Sequence, residues 1–279
     1  MINARHTARF RMGIFIVIAL SVSACISAET LRVKPGVEGT ARSNYYQAMV
    51  EMKGANYIQA NTLFTLVSRS PSYVKYGALA QLRLADVLFL QGRYRAATVK
   101  YAAFVAQHPS NPNMPYARFR AAQGYFKQIP SDLFVLPPAY EGDQTLTHEA
   151  RRELARFLRD FPISRFAVEA RKMLTAAERL LCDHELYVAD FYEKRGKPKA
   201  VAWRLKGAIE TYPKCALTEE NVLRLGESYA MGGNTADEAK AYALYLETFP
   251  KGAQRSRLEA KLKQLQKKDA PKAPRQPSD

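Results

Sequence analysis

Between about residues 41 and 266, apolar side chains recur every three or four positions in a sequence rich in Ala and Leu. This interval predicts amphipathic α-helices, because one face of a helix returns every 3.6 residues. The stretch from Ile163 to Arg195 keeps the interval and contains neither Pro nor Gly. We therefore expect an all-α protein whose middle is one long helix shared by two neighbouring units.

A glycine followed 17 residues later by a proline occurs four times and divides the helical pattern into units. Gly permits the left-handed turn that ends a first helix, and Pro stops the second helix because it lacks an N–H and clashes with the preceding turn. Small residues such as Ala60 and Ala97 allow the two helices to approach closely. The arrangement is typical of the tetratricopeptide repeat (TPR), which has two antiparallel helices per unit. The four pairs are Gly54–Pro71, Gly92–Pro109, Gly196–Pro213 and Gly233–Pro250.

A fifth proline, Pro162, closes a unit that lacks the glycine and has the longer connection 128–144 instead. The predicted fold is therefore a TPR-like α-solenoid of about five helix hairpins, followed by a C-terminal helix at about 253–266. We divide it into N-terminal units at 41–162 and C-terminal units at 163–266. Residues 267–279 are rich in Lys and Pro with few apolar side chains, which is typical of a disordered basic tail.

Residues 1–24 have the features of an export signal. Three arginines and no acid precede an uncharged run of 13 residues, Met12–Ala24, which is shorter than the ~20 residues of a membrane-spanning helix. The signal ends in Val22-Ser23-Ala24-Cys25, which resembles the bacterial lipobox; an ordinary cleavage site beside a chance cysteine is the alternative. The resemblance implies cleavage before Cys25 and acylation of its thiol, as in palmitate-bearing lipoproteins, with residues 25–40 as a lipidated linker.

The residue after the lipobox cysteine is Ile26. In some bacteria an Asp at this place retains the lipoprotein in the inner membrane. The lipobox resemblance therefore implies a protein that is anchored by its lipid to the outer membrane and faces the periplasm.

The chain is strongly basic, since 42 Lys and Arg residues against 26 Asp and Glu give a formal net charge of +16. Such a charge usually indicates nucleic acid, a membrane surface or acidic partners. The export signal removes nucleic acid from this set. Residues 251–279 hold nine of the cations and three of the acids, so much of the charge is expected beside an anionic membrane or cell wall.

The sequence contains no catalytic constellation that we recognise. A Gly-rich phosphate loop, His-Glu-x-x-His and Gly-x-Ser-x-Gly are all missing. Cys182 and His184 lie close together in sequence, but adjacent residues of a helix do not point at one metal ion. We expect no enzymatic activity, no metal and no cofactor apart from the covalent lipid on Cys25.

Two cysteines other than Cys25 are present, Cys182 and Cys215. Cys182 lies near the predicted start of the fourth hairpin, and Cys215 follows Pro213, which closes that hairpin. These two ends of a helix hairpin are neighbours, and the periplasm is oxidising. A disulfide and a pair of reduced, partly buried thiols both remain open.

Several motifs are more specific than the repeat. They are His108–Tyr116 followed by Gly124, Phe161–Phe166, Tyr187–Gly196, and then Arg204, Gly207, Tyr212 and Pro213. Together with the lipobox they resemble the BamD family, the lipoprotein subunits of the machine that inserts β-barrels into the outer membrane. The resemblance implies a scaffold whose C-terminal units dock on periplasmic domains of BamA, beside other Bam subunits. It also implies N-terminal units that receive unfolded β-barrel proteins through a C-terminal signal.

The resemblance implies functions for two groups of residues. Arg195 and Arg204 match arginines of the BamA-facing region, where a guanidinium fork suits a carboxylate of the partner. The alternatives are a cation at a helix C-terminus for Arg195 and a solvated helix face for Arg204.

The substrates' C-terminal segments are rich in aromatic residues and end in a carboxylate, so aromatic and Arg side chains on one face of the N-terminal units are candidates to hold them. The alternative is that these aromatics are TPR packing residues and that the arginines are plain surface. The leading candidates are Tyr116, Arg118 and Arg120, with Tyr45, Tyr73, Tyr76, Arg83 and Phe119 beside them.

Two other functions are compatible with part of the sequence. A different TPR lipoprotein, such as a pilotin for a secretin or pilus channel, would share the signal and the repeat. A cell-wall enzyme with a helical solenoid would need a general acid in a second domain, for which the repeats leave no room.

Overall fold

The computed structural model describes residues 38–69, 74–130 and 137–269. The predicted signal, Cys25 with its lipid, most of the linker 25–40 and residues 270–279 of the predicted tail lie outside these ranges. Within them the chain forms twelve α-helices, one short 3-10 helix and no strand. None of the helices in these ranges is long and apolar enough to cross a membrane.

Consecutive helices pack as antiparallel pairs, and the array has the five predicted hairpins followed by a final helix. The pairs are α1 with α2, α3 with α4, α5 with α6, α7 with α8 and α10 with α11, while the one-turn α9 joins the last two pairs. The helices are α1 Glu38–Lys53, α2 Tyr57–Ser68, α3 Val74–Leu90, α4 Tyr94–Gln107, α5 Met114–Lys127, α6 Thr145–Asp160, α7 Ala167–Glu193, α8 Pro198–Thr211, α9 Pro213–Ala216, α10 Glu219–Met231, α11 Thr235–Thr248 and α12 Arg255–Asp269. The all-α TPR-like fold is confirmed.

The second helices end where the prolines predict. In four units the last helical residue lies two positions before the proline, and the residue between them has a φ of −122° to −136°. A proline disfavours the helical conformation in the residue before it, since its ring clashes with a helical predecessor. The backbone N–H of that residue still donates to the carbonyl four positions earlier, which closes the last turn. The four residues are His108, Phe161, Tyr212 and Phe249.

The left-handed turn of the first hairpin differs from our expectation. Gly92, Gly196 and Gly233 have φ of 74°, 63° and 76°, each two residues before the next helix. In the first hairpin the residue at that position is Ala55, with φ of 60°, and Gly54 precedes it. The 17-residue spacing therefore aligned Gly54 one position too early, and an alanine adopts a conformation that costs a non-glycine residue about 1–2 kcal/mol.

Buried apolar side chains form clusters that share helices. One cluster joins α3, α4 and α5, a second joins α5, α6 and α7, and a third runs from α7 to α12. Because α5 and α7 each belong to two clusters, the hairpins form one continuous array. Ala60 and Ala97, the predicted sites of close helix approach, are completely buried.

The predicted long helix is α7, which has 27 residues and is therefore about 40 Å long. Ile163–Phe166, at the start of the predicted range, form a turn instead, in which the Ile163 side chain is 97% exposed. At the other end of the array, α12 continues to Asp269. Lys267–Asp269 are therefore helical rather than part of the tail.

A disulfide joins α7 to α9. The Cα atoms of Cys182 and Cys215 lie 6.4 Å apart, and the two sulfur atoms are bonded. Cys182 is completely buried. These two cysteines and Asp183 are the candidate metal-ligand group of the described residues, with donor atoms within 4.8 Å of one another, but a sulfur that takes part in a disulfide is not a thiolate ligand.

Candidate functional site

The N-terminal candidate residues lie on α5, and the helix separates them. Tyr116 and Arg120 are four residues apart and share one face, whereas residue 118 points about 200° away at 100° per residue. Arg118 accordingly pairs with Asp160 of α6, at 3.1 Å between Nη1 and Oδ2. The structure brings Tyr116 and Arg120 together but places Arg118 outside their group.

The centre of that group is a residue that sequence reasoning missed. Asp86 of α3 is 3% exposed, and its carboxylate accepts hydrogen bonds from two tyrosine hydroxyls and one guanidinium. Tyr116 donates at 2.7 Å, Arg83 donates at 2.5 Å, and Tyr101 of α4 donates a third, short bond. The sequence did contain an indication of this role, because an acid at an otherwise apolar position of a helix requires buried partners.

Two guanidinium groups flank this carboxylate. Arg83 Nε donates to the hydroxyl of Tyr45 at 3.4 Å. Arg120 Nε donates to the hydroxyl of Tyr101 at 3.4 Å, and its guanidinium carbon lies 3.7 Å from the centre of the Phe89 ring. We call Arg83, Asp86, Tyr101, Tyr116 and Arg120 the Asp86 site.

The Asp86 site is connected to the long helix. Arg120 donates to Gln123 Oε1 at 2.6 Å, and Gln123 Nε2 donates in turn to Glu169 Oε1 of α7 at 2.9 Å. Hydrogen bonds therefore run from Tyr45 on α1 through α3, Tyr101 of α4 and α5 to α7, and they connect the first helices of four successive hairpins.

The charges of the Asp86 site leave one guanidinium unmatched. Burial raises the pKa of Tyr116 to about 12, with the Asp86 charge as the next cause, and the pKa of Tyr101 is raised for the same reasons. Burial lowers the pKa of Arg83, but the Asp86 carboxylate and the Tyr45 hydroxyl more than offset this and raise it. The site thus has two cations, one anion and two neutral tyrosines near neutral pH. Among the described residues no carboxylate lies within the 4.0 Å ion-pair distance of Arg120.

The remaining aromatic candidates divide between core and surface. Phe119 is 2% exposed and stacks on Phe166 at 4.7 Å, and Tyr45 is 7% exposed. Both are core residues, as the alternative reading expected. Tyr76 is half-buried against Tyr45, and Tyr73 lies outside the described residues. Tyr116 is therefore the candidate aromatic that combines partial exposure with contact to the Asp86 carboxylate.

The C-terminal candidate Arg204 lies on α8 beside an exposed tryptophan. Its guanidinium pairs with Glu185 of α7 at 2.9 Å and lies 4.6 Å from the centre of the Trp203 ring. Arg204 Nε is buried without a hydrogen-bond partner. The Trp203 side chain is 67% exposed, so a large aromatic ring and a partly paired cation share one surface, which we call the Trp203–Arg204 surface.

Open clefts flank Trp203 on two sides. One, of about 630 Å³, extends over α8 and α10, and its walls include Lys199, Lys206 and Tyr229. The other, of about 350 Å³, includes Lys206, Glu210 and Glu185. An exposed aromatic between two clefts is typical of an anchor at a protein interface.

Arg195 does not join this surface. It is exposed in the α7–α8 turn, where its guanidinium carbon lies 3.6 Å from the centre of the Phe191 ring. Ten residues of helix and turn separate it from Glu185, which is about 15 Å along α7. The two predicted BamA-facing arginines are therefore separate contact points.

Comparison with known proteins assigns the chain to a family. A family model described as "Outer membrane lipoprotein" (YfiO) matches residues 38–244. The chain is 26% identical over 239 residues to the "Outer membrane protein assembly factor BamD" of Neisseria meningitidis serogroup A, which covers 84% of this chain and 89% of that protein. The protein of the same name from Rickettsia prowazekii is 29% identical over 167 residues, which is 60% of this chain and 63% of that one.

Among solved structures, a thermophilic TPR protein of Thermus thermophilus is similar to this chain. The TM-score is 0.34, the sequence identity is 17%, and the match covers 81% of this chain and 98% of that one. The family model spans all five hairpins up to the middle of α11 and stops before α12. Since it matches well over half of the sequence, the chain belongs to the BamD (YfiO) family of outer membrane lipoproteins.

Proposed function

We propose that the protein is a non-enzymatic scaffold for the assembly of β-barrel proteins in the outer membrane, to which lipid on Cys25 anchors it from the periplasmic face. In this proposal it binds BamA, other Bam subunits and unfolded β-barrel proteins. Family membership supports the proposal, as do the relatives that carry the name outer membrane protein assembly factor.

The unmatched guanidinium of Arg120 carries the substrate part of the proposal. A polypeptide that ends in a carboxylate supplies the anion that the Asp86 site lacks, and an Arg fork binds a carboxylate through two parallel hydrogen bonds. The Arg120 guanidinium is already oriented by Gln123, Tyr101 and the Phe89 ring, so little side-chain entropy is lost on binding. Tyr116 offers the adjoining aromatic surface.

Peptide binding tests this assignment. The probe is a dye-labelled peptide with the C-terminal strand of a β-barrel protein, compared with the same peptide carrying a C-terminal amide. We expect Arg120→Gln to weaken binding of the free-acid peptide about tenfold, since a charge-assisted hydrogen bond contributes about 1.5–3 kcal/mol.

Arg118→Gln is the matched control on the same helix, because Arg118 pairs with Asp160 instead. Equal weakening by the two variants, or equal binding of the acid and the amide, would show that the Asp86 site does not hold the terminal carboxylate.

The Trp203–Arg204 surface supports the BamA part of the proposal. Crosslinking in cells from a photoreactive residue at Lys206, whose side chain is 52% exposed beside Trp203, is expected to yield an adduct with BamA. An equivalent residue at Lys100, which is exposed on α4, is the control. Adducts with a secretin would instead favour a pilotin, and would contradict the proposal.

A further inference from the structure

Helix α6 carries its acids and its basic residues in two adjoining stripes. At 100° per residue, its acids cluster within about 40° of one another, on one side of the outward face. The basic residues occupy the centre and the other side of the outward face and adjoin the acids, so that Arg152 pairs with Glu149 and Glu153 where the two groups meet. The acids are Glu149, Glu153 and Asp160, and the basic flank consists of His148, Arg151, Arg152, Arg156 and Arg159.

The arginines of the basic flank are accessible. The side chains of Arg152, Arg156 and Arg159 are 63%, 52% and 73% exposed. Internal ion pairs engage these arginines only in part, since Arg152 pairs with Glu149 and Glu153, while Arg156, Arg159 and Arg118 share the single carboxylate of Asp160, at 4.0, 3.2 and 3.1 Å. A guanidinium has five N–H donors, so each retains free donors.

The basic flank lines an open groove. A cleft of about 640 Å³ is bordered by the four arginines and His148 of the flank and by the small exposed side chain of Ala155 in its middle. From His148 to Arg159 the flank extends for about 17 Å at 1.5 Å per residue. An extended peptide of about five residues has the same length at ~3.3 Å per residue.

The beginning of the groove is held in place by the next unit. Arg151 lies 3.6 Å from Glu178 of α7, and its guanidinium carbon is 5.6 Å from the centre of the Tyr212 ring at the end of α8. These contacts orient one guanidinium before any ligand arrives, which lowers the entropic cost of binding.

We propose that the basic flank of α6 binds an extended acidic segment of a partner protein. Alternate residues of an extended chain point the same way and are ~6.6 Å apart, close to the 4.5–6 Å axial steps between Arg152, Arg156 and Arg159. Carboxylates on alternate residues therefore meet successive guanidiniums. The observations favour a chain over a lipid surface, because the cations line a groove whose floor is Ala155, whereas a bilayer contacts the most protruding groups. This surface is separate from the Asp86 site and the Trp203–Arg204 surface.

The test uses the full mature chain and a fluorescein-labelled ten-residue peptide of alternating Glu and Ala, with the Gln-Ala peptide as the uncharged control. We expect the Glu-Ala peptide to bind and the Gln-Ala peptide to bind at least tenfold more weakly. The triple variant Arg152→Glu, Arg156→Glu, Arg159→Glu is expected to lose at least tenfold in affinity for the Glu-Ala peptide.

A triple variant with the same change in net charge is the matched control. It replaces exposed cations in and just before α12 by Lys251→Glu, Lys263→Glu and Lys267→Glu. This variant is expected to change the affinity for the Glu-Ala peptide less than twofold. Equal losses in both triple variants would reveal a general charge effect and overturn the proposal, as would absence of binding to the Glu-Ala peptide.

A third variant distinguishes a groove from a flat surface. Ala155→Trp keeps every charge but fills the groove, and we expect it to weaken peptide binding at least fivefold. As Ala155 is exposed, the fold tolerates the substitution, which thermal melting verifies. Cosedimentation with vesicles of three parts phosphatidylcholine and one part phosphatidylglycerol tests whether the same arginines bind anionic lipid instead of a peptide. Vesicle binding that the α6 triple variant abolishes and the Glu-Ala peptide does not inhibit would overturn the proposal.

Discussion

Tyr116 on α5 donates its hydroxyl to the buried carboxylate of Asp86 on α3, at 2.7 Å and across 30 residues of sequence. The same carboxylate accepts from Arg83 on its own helix. One acid therefore fixes both a tyrosine and an arginine of the proposed substrate site, and each can be tested by itself.

The first prediction concerns the stability that Asp86 provides. Asp86→Asn removes the charge that faces Arg83, and we expect the free energy of unfolding to fall by about 2 kcal/mol, less than the ~3–5 kcal/mol of a fully buried pair because Arg83 is partly exposed. Urea denaturation measures the change. Tyr116→Phe removes one hydrogen bond and keeps the charge pair, so it is expected to cost only about 1 kcal/mol. Equal effects of the two variants would contradict a dominant charge contribution.

The second prediction concerns alkaline pH. Burial raises the pKa of Tyr116 to about 12, above the ~10 of an unfolded tyrosine. The folded state therefore holds the proton more tightly, so this stability is present below pH 10 and is lost as the pH rises towards 12. Between pH 9.5 and 11.5 the wild type is expected to lose about 1–2 kcal/mol more than Tyr116→Phe, as measured by urea midpoints. Parallel pH profiles of the two proteins would show that Tyr116 does not contribute.

The third prediction compares two helical glycines. A Cβ atom on Gly226 of α10 would lie 2.2 Å from the Tyr242 ring, whereas one on Gly207 of α8 would meet nothing within 4 Å. Gly226→Ala is expected to destabilise the protein by about 1–3 kcal/mol through overpacking. Gly207→Ala should stabilise it by about 0.5–1 kcal/mol, because Ala loses less backbone entropy in a helix. Thermal melting of both variants gives the sign, and two shifts in the same direction would contradict the close packing of α10 on α11.

The fourth prediction concerns the disulfide. Cys182 and Cys215 lie 33 positions apart in sequence, and a bond that closes a loop of this size contributes about 3.5–4 kcal/mol. Reduction with dithiothreitol is expected to lower the unfolding midpoint of the wild type. The double variant Cys182→Ala, Cys215→Ala should melt at the lower temperature with or without the reductant. Two free thiols on alkylation of the native, unreduced protein would contradict the bond.

The fifth prediction uses the single tryptophan of the chain. Because Trp203 is 67% exposed, its fluorescence should resemble that of a solvated indole and be quenched readily by acrylamide. Binding of a partner to the Trp203–Arg204 surface is expected to shift the emission to shorter wavelength and to protect it from acrylamide. Partner binding that leaves both readouts unchanged would place the contact elsewhere.

The local parts of the fold could be predicted from the sequence. The 3.6-residue periodicity and the prolines act within one or two turns of helix, so they predict the five hairpins and the ends of four of their second helices. The turn of the first hairpin was misplaced by one residue, since Ala55 and not Gly54 takes the left-handed conformation. Spacing alone does not reveal which of two adjacent residues adopts it.

The candidate site was predicted less completely, because its contacts are non-local. The Asp86 carboxylate accepts hydrogen bonds from Tyr101 and Tyr116, which are 15 and 30 residues away in sequence. The sequence groups Arg118 with Tyr116 and Arg120, but residues two positions apart on a helix point to different sides. Sequence proximity therefore identified the right helix, while the fold selected which side chains share a face.

Helix α7 carries one contact of the Asp86 site and one of the Trp203–Arg204 surface. Glu169 near its start accepts the hydrogen bond of Gln123, which orients Arg120, and Glu185 pairs with Arg204. These two acids are sixteen positions apart, which corresponds to about 24 Å of unbroken helix, with no Pro or Gly at which it would bend. The helix thus sets a fixed distance between the proposed client site and the proposed BamA surface.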